Sequence, residues 1–172
     1  MNTEIEIKIL NVDPKNIRSI LLKNKAKPVK NVFQKNHIYT NEYVKSNDIL
    51  VRLREEGKNY WLTIKSPAKI IRNHKIRKEY ELMLPSYKDG YEMLTLQGFK
   101  ESYVVEVKRE YFSLYSCSVE IIVIPTIPTF IEIEGLEKNI SRVAKLLGYS
   151  NKDYVSQNIF KIYKLKRQSF RF

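Results

Sequence analysis

Glu4-Ile5-Glu6-Ile7-Lys8 alternates charged and branched apolar residues with a period of two. In a β-strand residues two apart share a face, so this stretch places Glu4, Glu6 and Lys8 on one side and Ile5, Ile7 and Ile9 on the other. Taken alone, it reads as any amphipathic strand with one side in water. Its meaning comes from recurrence. Arg52 and Arg54 share a face, as do Thr63 and Lys65, then Arg77, Glu79 and Glu81, then Glu132 and Glu134. Opposite them stand Leu53, Leu62 and Ile64, Tyr80 and Leu82, and Ile131 and Ile133. A sheet built from these strands has one apolar face and one densely charged face. Closed on itself with helices over the apolar outside, it encloses a lumen holding both carboxylates and cations. That mixture suits a metal-bound polyphosphate, because Arg and Lys take phosphate oxygens while glutamates hold hard divalent cations.

The period-two pattern predicts strands over Glu4 to Leu10, Ile49 to Arg54, Tyr60 to Lys65, Arg77 to Leu84, Tyr103 to Phe112, Ser118 to Ile124 and Thr129 to Glu134. Three helical stretches interrupt them, with cores at Ile17, Ile20 and Leu21, at Tyr91, Leu94 and Leu96, and at Ile140, Val143, Ala144 and Leu147. Asp13-Pro14 is a capped start for the first, and Pro28 follows it. Gly98-Phe99 and Gly148-Tyr149 stop the other two, as glycine just past a helix end does. The fold class expected is α+β. Lys65 to Asn73 reads as a basic loop between two strands, able to close over an anion or simply solvated. Asn158 to Arg171, with Lys161, Lys164, Lys166, Arg167 and Arg171, reads as a strand or helix with a basic tail. An Arg-rich strand followed by a Glu-x-Glu strand occurs in both halves, a weak echo of duplication whose spacings differ.

Composition bounds the alternatives. The chain has 172 residues, enough for a packed core and of a size for one domain. Its formal net charge is +12, from 31 Lys and Arg against 19 Asp and Glu, which favours a polyanionic partner. Many lysines, such as those from Lys23 to Lys30, read as a solvated face. Cys117 is the single cysteine, so no internal disulfide forms, and no apolar run reaches the ~18 residues of a membrane span. Glu4 and Glu6 stand where an export signal needs a basic start, so the expected compartment is the cytoplasm. His37 and His74 are too few and too far apart for a zinc site, and Cys117 lacks a recognisable histidine partner. No Gly-rich phosphate loop is present, so phosphate contacts must project from strands. Zinc-finger spacing, an RNA-binding aromatic motif and a helix-turn-helix pattern are all missing, which leaves RNA 5′ ends as the nucleic-acid partner still open.

The ordered set of motifs resembles the CYTH family, which includes class IV adenylate cyclases, thiamine triphosphatases and inorganic triphosphatases. The resemblance runs through the Glu-x-Glu-x-Lys strand at Glu4, Glu6 and Lys8, Arg-x-Arg at Arg52 and Arg54, Leu-Thr-x-Lys at Leu62 to Lys65, and Arg-x-Glu-x-Glu at Arg77, Glu79 and Glu81. Gly98-Phe99, the basic strand ending at Arg109, Phe130 to Gly135 and a helix ending in Leu-Gly-Tyr continue it. It implies an antiparallel eight-stranded β-tunnel over residues 1–172 as one domain. It also implies Mg2+ or Mn2+ as cofactor and a triphosphate such as ATP, tripolyphosphate or thiamine triphosphate as small-molecule partner, in a monomer or homodimer.

Glu4, Glu6, Glu132 and Glu134 are then the first metal-ligand candidates, with Glu79 and Glu81 next. Lys8, Arg52, Arg54, Lys65, Arg77 and Arg109 are the phosphate contacts. Glu4, Glu6, Lys8, Arg52, Arg54, Lys65 and Arg109 form the expected catalytic set. Two positions depart from the family pattern. Val107 stands where the basic strand usually carries lysine, and Lys108 has the wrong parity to replace it unless the strand bulges. Ile122 stands where active members commonly carry aspartate, and Glu120, one step along the same face, is the substitute metal ligand. The leading expectation is metal-dependent triphosphate hydrolysis. ATP cyclisation to cyclic AMP and pyrophosphate is the second reading, and non-catalytic nucleotide or polyphosphate binding the third.

Overall fold

The structure, a computed structural model, describes residues 2–164 and 168–172. Nine strands form one sheet: β1 (Asn2–Ile9), β2 (Lys27–Thr40), β3 (Leu50–Glu56), β4 (Asn59–Lys65), β5 (Lys69–Ile71), β6 (His74–Leu84), β7 (Lys100–Leu114), β8 (Cys117–Ile124) and β9 (Ile127–Glu134). Eight run in the order β1-β9-β8-β7-β2-β3-β4-β6 and close through a β6–β1 pairing, every pair antiparallel. The fold is a closed eight-stranded antiparallel β-barrel of the α+β class, with β5 as an extra strand on β6.

Helices α1 (Pro14–Lys23) and α4 (Glu137–Leu146) lie outside the wall made by β1, β8 and β9. Their buried Ile17, Leu21, Ile140 and Val143 pack with Ile7, Ile9, Ile121 and Ile133, the outward residues of those strands. Asp13 caps α1 through its side chain, bonded by the Lys15 amide, with Pro14 at the first helical position. Helix α3 (Tyr87–Leu96) covers β3 with Leu94 against Val51 and Leu53. It sits close enough that a Cβ on Gly90 would lie 2.6 Å from Leu84 Cδ1 and 2.7 Å from Leu53 Cδ1, so a larger residue would make those side chains shift. Leu62 and Leu84 of β4 and β6 also pack under α3, but the rest of that outer face is left bare. Ile64, Tyr80 and Leu82 there are 40%, 46% and 55% exposed.

Two segments differ from expectation, and a third, after Asn158, takes the helical one of its two readings. β2 is the longest strand the alternation did not show, because its inward Gln34 and Asn36 are polar and its outward Phe33, Lys35 and His37 are mixed. Lys65 to Asn73 contains a short strand, β5, joined to β6 through Arg72 and Asn73, both at positive φ, as a tight hairpin turn needs. The basic run after Asn158 begins with the short helix α5 (Ile159–Ile162), and Phe170 bridges to Val105 of β7. Lys166 and Arg167 of that run lie outside the described residues. A further short helix, α2 (Glu42–Ser46), separates β2 from β3. Among the described residues no helix is long and apolar enough to cross a membrane.

Candidate functional site

The barrel encloses a cavity of about 730 Å³. Seven glutamates line it, Glu4, Glu6, Glu79, Glu81, Glu120, Glu132 and Glu134, with Lys8, Arg52, Arg54, Lys65, Lys75, Arg77 and Arg109; Lys30, Lys45 and Asp48 line it as well. The alternation that pointed these side chains to one face therefore brings them into one lumen. Register explains who meets whom. Glu4 pairs with Arg77 and Glu6 with Lys75 across β1–β6, while Lys8 pairs with Glu132 across β1–β9. Arg52 lies opposite Thr63, which lies opposite Glu81.

Each of these glutamates but one finds a cation. Lys8 Nζ lies 2.6 Å from Glu6 Oε1 and 3.2 Å from Glu132, and Lys75 Nζ reaches the same Glu6 oxygen at 2.8 Å. Lys65 Nζ donates to both oxygens of Glu4 at 2.9 Å and lies 3.0 Å from Glu79. Arg54 donates to Glu81 at 2.9 Å, and Arg52 donates to Thr63 Oγ1 at 3.2 Å. Arg109 pairs with Glu120 and lies 3.5 Å from Glu132. Glu134 has no hydrogen bond or ion pair at contact distance among the described residues. The Nε atoms of Arg52, Arg54, Arg77 and Arg109 are buried without a partner among the described residues.

Burial and neighbours split the carboxylates into two kinds. Burial, with the adjacent Glu6 charge, raises Glu4 to about 7 despite Lys65. Burial raises Glu134 to about 7, with Glu4 and Glu120 adding to it. Burial opposes ionisation of Glu6 as well, yet Lys8, Lys75 and Lys65 outweigh it and hold that carboxyl well below its ordinary range. Glu132 is likewise lowered, by Lys8 against its burial, whereas Glu120 is raised by burial. Burial together with Arg54 and Arg109 brings Arg52 down to about 10. A lumen in which some acids are over-compensated and others under-compensated has room for mobile charges of both signs.

The donor set for a metal is all carboxylate oxygen, which suits Mg2+ or Mn2+ in kind. Glu134, with no ion pair, and Glu4, which shares Lys65 with Glu79, are the pair best able to accept such an ion. Among the described residues no group of three or more acidic, His or Cys side chains converges on one point as they stand. Loading a metal would therefore draw carboxylates away from their lysine and arginine partners.

Lys108 is a correction. No bulge interrupts the β7–β8 register around it, so it keeps its outward parity, and its Nζ lies 3.9 Å over the Phe172 ring outside the barrel. Val107 takes the luminal place. Glu120 does face the lumen, cross-strand from Glu132. Ile122 is fully buried next to Arg109 and Phe130, in an apolar cluster with Val105 and Val107. Lys75 was absent from the expected set, although it stands two residues before Arg77 and extends the same charged face. Gln34 and Asn36, buried on β2, carried no signal because neither charge nor apolar alternation marks that strand.

Comparison with known proteins agrees with this architecture. No curated protein matches the chain by sequence. The PH1012 protein of Pyrococcus horikoshii superposes with a TM-score of 0.79 at 22% identity, covering 92% of this chain and 98% of that one. A proposed adenylate cyclase from Vibrio parahaemolyticus superposes with a TM-score of 0.81 at 12% identity, over 95% and 98% of the two chains. HpAC1 from Hippeastrum, a proposed adenylyl cyclase described as having a dominant triphosphatase activity, gives 0.69 at 17% identity, over 94% and 95%. The family profile of the CYTH domain matches residues 2–156, nearly the whole chain, and with the charged barrel it fixes the lineage: the chain belongs to the CYTH domain family.

Proposed function

We propose that this chain hydrolyses a triphosphate inside its barrel with the help of Mg2+ or Mn2+. The observation that carries the reading is the set of four luminal arginines, each with a buried Nε that has no partner among the described residues, beside Glu4 and Glu134, whose carboxyls their cations leave raised to about 7. An anion with several oxygens answers the first need, and a divalent cation the second. The HpAC1 protein, described as a dominant triphosphatase on the same fold, supports the hydrolytic choice.

Lys8, Lys65, Arg52, Arg54, Arg77 and Arg109 hold the phosphate chain extended, with Arg109 and Lys8 contacting from the β7 and β1 sides. Phosphoryl transfer depends mainly on such positioning and on stabilising charge at the equatorial oxygens, so no protein nucleophile is needed. Glu4, Glu6, Glu132 and Glu134, with Glu120 and then Glu79 and Glu81 behind them, are the residues that would hold metal. Bound there, Mg2+ or Mn2+ would neutralise phosphate charge and lower the pKa of the attacking water. Water then adds to the terminal phosphorus, the bridging oxygen leaves with the remaining diphosphate, and orthophosphate is released. Lys75 is the cation that the lost Val107 position no longer supplies, reaching the same Glu6 oxygen as Lys8 from β6.

Incubation with Mg2+ or Mn2+ and either tripolyphosphate or ATP tests the reaction by its products. Orthophosphate is expected, and pyrophosphate with cyclic AMP would replace hydrolysis by cyclisation. The buried Ile122 in the place of an acidic ligand favours one other reading, a binder without turnover. Tight metal-aided binding with the ligand intact after prolonged incubation would establish it.

A further inference from the structure

Helix α3 lies over β3 and leaves one of its flanks open. Gly90 and Leu94 face the barrel, while Tyr87 reaches over β2, its hydroxyl 3.2 Å from His37 Nδ1, with Tyr91 stacked beside it. Strands β2 and β4 stand on opposite sides of β3, so the other flank of the helix is turned toward β4 and β6. At about 100° per residue that flank carries Asp89, Met93 and Leu96. Met93 is 40% exposed, and Leu96, at 88%, is the most exposed large apolar residue among the described ones. Beside them the outward Leu82 and Tyr80 of β6 and Ile64 of β4, paired with Tyr80, continue the same surface. Single exposed apolar residues are ordinary, but five large ones in one stretch mark a contact surface.

The ends of this stretch differ in sign. Asp89 and Glu92 stand at the α3 end, both exposed. Lys78 stands at the other, two residues before Tyr80 on the same outward face of β6, and Lys69 lies beyond it, paired with Ile76. Along the strand Lys78 is about 13 Å from Leu82. Asp89 is engaged by Ser86 Oγ at 2.7 Å as part of the helix cap. Glu92 holds Lys88 at 3.7 Å between two exposed side chains, a pair weak enough to be exchanged.

The charge pattern selects the occupant. The chain carries +12, nearly all of it outside the lumen, so two copies repel each other over most of their surface. They can approach where opposite signs meet, and this face offers that to itself. A two-fold axis near Tyr80 lays the Lys78 end of one copy on the acidic α3 end of the other and closes apolar centre on apolar centre, as an isologous contact requires. A polyanion would meet the acidic end and find better surface elsewhere on so basic a chain.

We infer that the face formed by α3, β4 and β6 is the interface of a symmetric dimer, covered by the same face of a second copy. Leu96 and Met93 supply its apolar contacts with Ile64, Tyr80 and Leu82, and Lys78 pairs across it with the partner's Glu92. The lumen lies on the inner side of β4 and β6, so neither copy lends a residue to the other's site, and the inference stands apart from the triphosphate reading.

Sedimentation equilibrium of the full chain across the micromolar range tests it. The mass should rise with concentration from 20.5 kDa toward twice that value. Leu96→Asp places a charge in the apolar centre, on a side chain too exposed for the fold to depend on it, and should weaken association at least about tenfold. Lys78→Glu should weaken it as well by setting like charges together, and adding Glu92→Lys should recover most of that loss. A mass of 20.5 kDa at every concentration would overturn the dimer. If vesicles of phosphatidylcholine and phosphatidylglycerol then bound the natural chain but not Leu96→Asp, the face would belong to a membrane surface instead. A dimer indifferent to Leu96→Asp would put the interface elsewhere on the chain, and no recovery on adding Glu92→Lys would overturn the two-fold pairing.

Discussion

Lys8→Met is the substitution that most directly tests whether the lumen is a buried electrostatic network. The Lys8 side chain is 6% exposed, and its ammonium bridges Glu6 at 2.6 Å and Glu132 at 3.2 Å. Methionine keeps most of the stem volume and removes the charge. Glu132 is then left with Arg109 at 3.5 Å, and Glu6 with Lys75 at 2.8 Å. Removing one member of a buried ion pair typically costs about 3–5 kcal/mol, because the orphaned charge stays desolvated. Since both carboxylates keep a second cation, the expected loss is at the lower end, about 3 kcal/mol. Urea unfolding at neutral pH without divalent ions measures it. Saturating Mn2+ should recover part of the loss, because an ion held by Glu6 or Glu132 replaces the missing charge, and binding at a hundredfold excess over Kd contributes about 2.7 kcal/mol. A loss below about 1 kcal/mol, the range of surface pairs, would refute the buried network. An identical loss with and without Mn2+ would refute the assignment of those carboxylates to metal.

Lys108→Ala should leave tripolyphosphate turnover unchanged, because the side chain lies on Phe172 outside the barrel; a large rise in KM would return Lys108 to the lumen. Ile122→Asp places a carboxylate opposite Arg109 at a site with no exposure. We expect a metal-free stability loss of about 3 kcal/mol together with a gain in metal-dependent turnover, and no gain would mean that Glu120 already serves. The metal-free chain should also lose stability as pH rises from about 6 to 8. Glu4, facing Glu6, Lys65 and Glu79, and Glu134, facing Glu4, Glu120, Lys65 and Glu6, both titrate near 7 when folded, against 4.5 for an unperturbed glutamate. The folded chain then holds more protons in this window, so their contribution is complete below the unfolded value and is lost as pH rises through about 7. A thermal midpoint that is flat or rising across that window would contradict it.

Strands whose charges keep a strict period of two were legible, since inward Glu, Arg or Lys alternates with an outward apolar residue, packed under a helix on β1, β3 and β9 and exposed on part of β4 and β6. β2 was not, because a luminal face made of Gln34, Asn36 and Ile38 has neither the charge nor the uniform hydrophobicity that marks a face. Lys75 fell just outside the motif whose parity it shares, and only its closeness to Glu6 across β1–β6 reveals it. Lys108 illustrates the reverse error. A missing luminal lysine invited a neighbour to fill in through a bulge, but the β7 ladder with β8 is continuous there, and Lys108 stays outside. Which luminal charges meet is invisible to a linear pattern, because it depends on which strands end up facing each other.

The balance of the lumen says how its two ligands act together. Eight acidic and nine basic groups line it, so nearly all of the +12 surplus is carried by residues outside this set, and the site is close to internal neutrality. Metal alone, taking carboxylates, would strand Lys8, Lys65 and Lys75 without partners. A triphosphate alone, taking those cations, would strand Glu4, Glu6 and Glu132. Each therefore meets a site that resists it singly, whereas the two together exchange every broken ion pair for a new one of the same sign. Binding of one must then strengthen binding of the other by the same factor, since the coupling free energy is shared between them. On the proposed reading, the tightly paired lumen would admit a metal and a polyphosphate as a unit, and the carboxylates that the lysines leave under-compensated, Glu4 and Glu134, would be where that exchange begins.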